Sequence, residues 1–157
     1  MQQNKTTNLD GVTDVFAVPA EGRVIAIDPG TRRCGVAVCD ELRVTSRPLS
    51  AIQRTSWKKL LLHIKDLVSE FDAKAMVIGL PLNTDGTESE MSTEARRMAR
   101  NFSRSLDIPV FLQDERVTSY EAKGRLWGQG RSLSESRALV DSEAAVIILD
   151  DFLARTK

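Results

Sequence analysis

The stretch Val24–Val38, VIAIDPGTRRCGVAV, decides the fold. Val24 to Ile27 is apolar without alternation, the pattern of a strand buried on both faces. That run ends in a carboxylate, Asp28. The chain then turns through Pro29-Gly30-Thr31-Arg32-Arg33 and enters a second apolar run, Gly35 to Cys39. Two apolar runs joined by a short Pro-Gly link read as a hairpin. Buried charge is costly, so an aspartate at the end of such a strand asks for a reason.

Working outward, the first strand covers Arg23 to Asp28, and a weaker third strand is expected over Arg43 to Ile52, ending near Pro48. Then the period changes. Trp57, Leu60, Leu61, Ile64, Leu67, Val68 and Phe71 recur at three and four, which predicts a helix capped by Thr55 or Ser56. His63, the only histidine, lies beside that stripe and reads as a surface or boundary residue. Ala75 to Leu80 is another short buried strand. Thr87 and Glu90 fit a capping box ahead of a second helical stripe, Met91 to Leu106. Val110 to Gln113 is a fifth strand. Thr118 and Glu121 fit another capping box, opening a helix to about Trp127, and a last helix spans about Ser134 to Ala154. The order βββαβαβαα predicts an α/β fold: a mixed five-stranded sheet flanked by helices. Residues 1–22 are polar at first and aperiodic, and read as a flexible extension before a domain covering 23–157.

The chain has 157 residues, enough for one domain with a real core. Lysine plus arginine number 22 and aspartate plus glutamate number 22. That balance argues against coating nucleic acid by bulk charge, while leaving room for a local basic patch. Cys34 and Cys39 match neither a CxxC pair nor a zinc pattern and read as reduced thiols. No apolar run reaches membrane-spanning length and no signal peptide core is visible. The expectation is a cytoplasmic protein with no membrane contact.

Three carboxylates stand where carboxylates need a purpose. Asp28 ends the first strand. In VFLQDERVTS a second apolar strand ends in charge, with Asp114 and Glu115 adjacent; side chains alternate along a strand, so one of the two faces a cleft and the other does not. On the last helix Asp141, Ala144, Ala145, Ile148, Leu149 and Phe152 recur at three and four, which puts Asp141 on the stripe facing the sheet. Two unit charges 4 Å apart repel by about 4 kcal/mol at an effective dielectric near 20. Three converging carboxylates therefore require a cation or raised pKa values. Hard oxygen ligands favour Mg²⁺ or Mn²⁺, and two such ions would clamp an in-line displacement at phosphorus. Gly30 permits close backbone approach to a ligand. Thr31, Arg32, Arg33, Arg116, Lys123, Arg125 and Arg131 are candidate phosphate contacts.

Together the segments IAIDPGTRRCGVAV, VIGLPLNTDGTES, DERVTSYEA and DSEAAVIILDDFL resemble the YqgF (RuvX) family, over about Arg23 to Leu153. The resemblance implies a ribonuclease H-like fold and a nuclease that processes the 5′ end of the small-subunit ribosomal RNA precursor, pre-16S rRNA. It implies metal-dependent acids at Asp28, Glu115 and Asp141, and so selects Glu115 over Asp114. The segment Ser132 to Val140 departs from the family by carrying few basic residues. Three other roles compete. A Holliday-junction resolvase would act on branched DNA, and a homodimer would suit its two-fold substrate. A non-catalytic ribosome- or transcription-associated module would bind without cutting. A sugar kinase or actin-like ATPase shares the DPGTRRCGVAV hairpin but needs two such domains, and 157 residues supply one.

Overall fold

The hairpin forms as read, and its two arms are the centre of the molecule. The computed structural model describes residues 17–115 and 133–156, and in the last helix its side chains from Ser142 onward. Strand β1 is Val24–Asp28 and β2 is Arg33–Cys39, paired antiparallel with Asp28 opposite Gly35. Strand β3, Ser46–Gln53, continues the meander on the outer side of β2. It starts later than the expected Arg43, because Arg43 adopts a left-handed backbone in the turn before it (φ 60°). It also runs through Pro48, which an edge strand tolerates because it has an unpaired side.

Helix α1, Trp57–Phe71, is capped by Ser56, whose hydroxyl accepts from the Lys59 amide. Strand β4, Ala75–Leu80, then joins β1 in parallel. Helix α2, Glu90–Ser105, returns the chain to β5, Val110–Asp114, which is parallel to β4. The sheet order is β3-β2-β1-β4-β5, a mixed five-stranded sheet with the Asp28 strand in the middle. The last helix, α3, is Leu133–Thr156. The helix expected over Thr118 to Trp127 lies outside the described residues, as does the stretch before Ala17.

The capping box of α2 is not Thr87–Glu90. Ser89 is the cap: its hydroxyl accepts from the Ser92 amide, and the Ser92 hydroxyl accepts from the Ser89 amide. Thr87 is already committed to the preceding turn, where its hydroxyl donates to Asp85 and accepts from Asn83.

Strand alternation sorts the core into two layers. Ile25, Ile27, Val36, Met76, Ile78 and Leu112 face α1 and α2. Val24, Ala26, Ala37, Val77 and Phe111 face α3, where Ala145, Ile148, Leu149 and Phe152 cover them. The stripe expected on the last helix is buried from Ala144 to Phe152. Val18, ahead of β1, packs on this second layer. Both cysteines are buried free thiols, and burial raises the pKa of each.

Candidate active site

Three parallel strands end together at one edge of the sheet. The register pairs Ile27 with Ile78 and Leu80 with Asp114, so β1, β4 and β5 stop within a residue or two of one another. The Glu115 amide extends the last pairing by donating to the Leu80 carbonyl, at 3.1 Å. In an α/β sheet this carboxyl edge is where ligands bind.

Alternation now separates the two adjacent acids. Val24 and Ala26 face α3, and Asp28 follows them on the same side. Phe111 faces α3, and so do Gln113 and Glu115 at successive steps of two; Gln113 accepts a hydrogen bond from Arg155 of α3 at 2.8 Å. Asp114 falls on the opposite side and is exposed, whereas Glu115 is buried at 9% exposure. Asp28 and Glu115 thus share one face, separated by β4, with their strands about 10 Å apart at ordinary strand spacing.

Glycine occupies the places between and beside them. Gly35 is paired with Asp28 on β2, and Gly79 follows Ile78 on β4. A Cβ on Gly79 would lie 2.4 Å from Ile148 Cδ1 of α3. The missing side chain lets α3 come down onto the sheet next to the two acids. Asp141 belongs to this helix, one turn before the buried Ala144 and Ala145.

A residue that the sequence reading passed over holds α3 in register. Strand β2 has a bulge between Cys34 and Val36, which disrupts the ladder to β3. Ser142 fills that gap. Its hydroxyl accepts from the Val36 amide at 3.4 Å and donates to the Leu49 carbonyl, bridging two residues that face each other across the ladder. Ser142 is fully buried and is the immediate neighbour of Asp141. The signal was available: Ser142, Ala145, Leu149 and Phe152 also recur at three and four.

The turn that carries Gly30 is tied from the other face of the sheet. The Arg54 guanidinium donates to the Gly30 carbonyl at 2.9 Å and to Glu94 of α2 at 2.5 Å, and the Arg54 amide donates to the Arg32 carbonyl. Glu94 also receives Nε and Nη2 of Arg97 as a two-pronged pair. The Arg97 hydrogen bonds, with those of Arg54, hold the Glu94 carboxyl down to about 2. Gly30 is required by the turn itself, since a Cβ there would sit 2.3 Å from the Arg33 carbonyl oxygen. Thr31 and Arg32 are exposed at the tip of the turn, and Arg33 is half-buried. His63 is exposed on α1. Arg116, Lys123, Arg125 and Arg131 lie outside the described residues. Nothing in the sequence marked Arg54 and Glu94 as partners, because they are distant in the chain.

The donor chemistry suits a hard divalent cation. Asp28 and Glu115 are carboxylates on one face, and burial of the Glu115 charge calls for a positive partner. Asp141 is the third candidate ligand.

Comparison with known proteins places the chain in a family. Residues 22–155 match the family model described as "RuvX: Holliday junction resolvase". A relative from Anaeromyxobacter dehalogenans, named "Putative pre-16S rRNA nuclease", is 39% identical over 133 residues, covering 85% of this chain and 97% of its own. One of the same name from Azotobacter vinelandii is 40% identical over 131 residues, covering 83% and 92%. Among solved structures, T. thermophilus RuvC in complex with Holliday junction substrate aligns with a TM-score of 0.52 at 18% identity, over 85% of this chain and 95% of that one. This last likeness is one of fold. The sheet order, the acids at its carboxyl edge and the sequence match along nearly the whole chain lead to one conclusion: this protein belongs to the RuvX family.

Proposed function

We propose that this RuvX-family nuclease hydrolyses phosphodiester bonds of structured RNA, processing the 5′ end of pre-16S rRNA in the cytoplasm, with Mg²⁺ or Mn²⁺. The reading is carried by one observation: Asp28 and Glu115 share one face at the carboxyl edge of the sheet, under the helix that bears Asp141. The names of the relatives support the RNA substrate. The nuclease domain is assigned to residues 23–157, with 1–22 as an extension.

Asp28, Glu115 and Asp141 would hold the metal. Bound there, divalent cations neutralise the acids and stabilise the charge that develops on the phosphate oxygens. The chain's own residues do the rest. The Thr31 hydroxyl and the Arg32 guanidinium, exposed at the turn, would hold non-bridging oxygens of the substrate, as would Arg116, Lys123 and Arg125. Gly30 keeps the turn tight, and Arg54 fixes its carbonyl so that the turn presents one shape to the substrate.

A second reading, cleavage of branched DNA by a homodimer, draws on the description of the family and on the fold shared with RuvC. One experiment separates them. The wild type and Asp28→Asn are assayed on a pre-16S 5′ leader RNA and on a four-way DNA junction, with Mn²⁺ or Mg²⁺. Cutting of the RNA, reduced roughly a thousandfold or more in the variant, is the expected result. Cutting of the junction alone moves the protein to recombination. Cutting of neither overturns the nuclease reading.

A further inference from the structure

On the opposite face of the sheet from α3, a cleft of about 460 Å³ opens beside the Gly30 turn. Thr31 is on its rim, three residues from Asp28, so the cleft begins within about 10 Å of that residue along the chain. Arg54, Thr55, Glu94 and Arg97 line its polar part, and Trp57, Leu60 and Met91 its apolar part. It is a built feature: Arg54 and Arg97 share Glu94, and Trp57 is held against Phe102 of α2 with ring centroids 4.7 Å apart. Two guanidiniums around one carboxylate leave the trio with a net charge of +1. Arg97 is its accessible member, with its side chain 54% exposed against 19% for Arg54. The bonds from Arg97 to Glu94 use Nε and Nη2, and a guanidinium has five N–H groups, so Nη1 lies outside that pair. A fixed guanidinium with threonine hydroxyls nearby is the chemistry that takes a phosphate.

We propose that this cleft binds a backbone phosphate of the nucleic-acid strand next to the one that is cut, with Arg97 as the main donor. The proposal rests on the nuclease reading above and extends it to the substrate's path. The strand crosses the edge of the sheet, with the acids on the α3 side and the cleft on the α1–α2 side. Contact is with the backbone, so it carries no sequence preference.

The probe is a fluorescein-labelled RNA hairpin with a single-stranded 5′ tail. Its binding to the full chain is followed by anisotropy in EDTA across a salt series. Arg97→Gln is expected to bind about tenfold more weakly, with a log K against log salt slope shallower by about one. Glu94→Gln is expected to bind more tightly than the wild type, because the trio then carries +2. A merely structural role would weaken both variants, and that result overturns the proposal. Thermal melting monitored by circular dichroism verifies that each variant is folded. Inorganic phosphate is titrated by calorimetry in parallel. If Arg97→Gln loses free phosphate but binds RNA like the wild type, the site serves a small anion and the proposal falls. Unchanged RNA binding in Arg97→Gln, with cleavage still lost in Asp28→Asn, overturns the cleft alone. If the wild type neither binds nor cuts RNA or the junction, the nuclease reading and the cleft fall together.

Discussion

Asp114 and Glu115 are neighbours in the chain and lie on opposite sides of the sheet. Composition and spacing left them equivalent, since both end an apolar strand. The face of a strand becomes known only when its register does, and here the register comes from pairing with β4. Glu94 is a case where nothing local told its role. Its carboxyl sits about 2, against an ordinary value of 4.5, because Arg97 and then Arg54 hydrogen-bond the charged form. A group with a depressed folded-state pKa stabilises the fold fully above its unfolded value, and that stability is lost as the pH falls toward the folded one. The denaturation midpoint of the wild type minus that of Glu94→Gln is therefore expected to be constant above about pH 5. It shrinks steadily from there toward pH 2. A difference that stays flat down to pH 3 in urea titrations would show that the pair adds nothing to stability.

At the scale of elements, most of the architecture could be read in advance. Unbroken apolar runs marked β1, β2 and β4, and stripes at three and four marked α1, α2 and α3. The misreadings came where local hydrogen bonding competed with pattern. Arg43 was spent on a left-handed turn, and Thr87 was taken by Asp85 and Asn83, which moved the α2 cap to Ser89. The bulge in β2 was invisible, because a bulge is a relation between two strands. Ser142 meets that bulge, and a prediction follows from its two bonds. Ser142→Ala leaves the Val36 amide and the Leu49 carbonyl buried without their partner, which costs about 1–3 kcal/mol. Chemical denaturation reads that loss. Because α3 also carries Asp141, cleavage is expected to fall by more than the unfolded fraction accounts for. Ser142→Thr, which keeps the hydroxyl, is expected to recover part of both.

For the whole molecule, the two faces of the sheet are closed by different parts of the chain. Helices α1 and α2 lie between strands and cover one face, while α3 follows all five strands and covers the other. The three candidate acids stand out in the sequence because each breaks an apolar pattern. The topology brings Asp28 and Glu115 to one edge of the sheet, and Asp141 belongs to the helix that covers that face. A fragment of residues 17–115 is expected to expose Val24, Ala26, Val77 and Phe111, all buried in the intact chain. It should bind the dye ANS strongly and lack a cooperative melting transition. Cooperative melting with weak dye binding would show that the sheet is stable without α3.

The same arrangement bears on timing during synthesis. Asp28 and Glu115 leave the ribosome well before Asp141, which arrives on the helix that seals the second face. A growing chain therefore lacks one of the three proposed ligands for most of its translation. If Asp28, Glu115 and Asp141 form the proposed metal site, the order of the strands and helices leaves that site incomplete until the last helix docks.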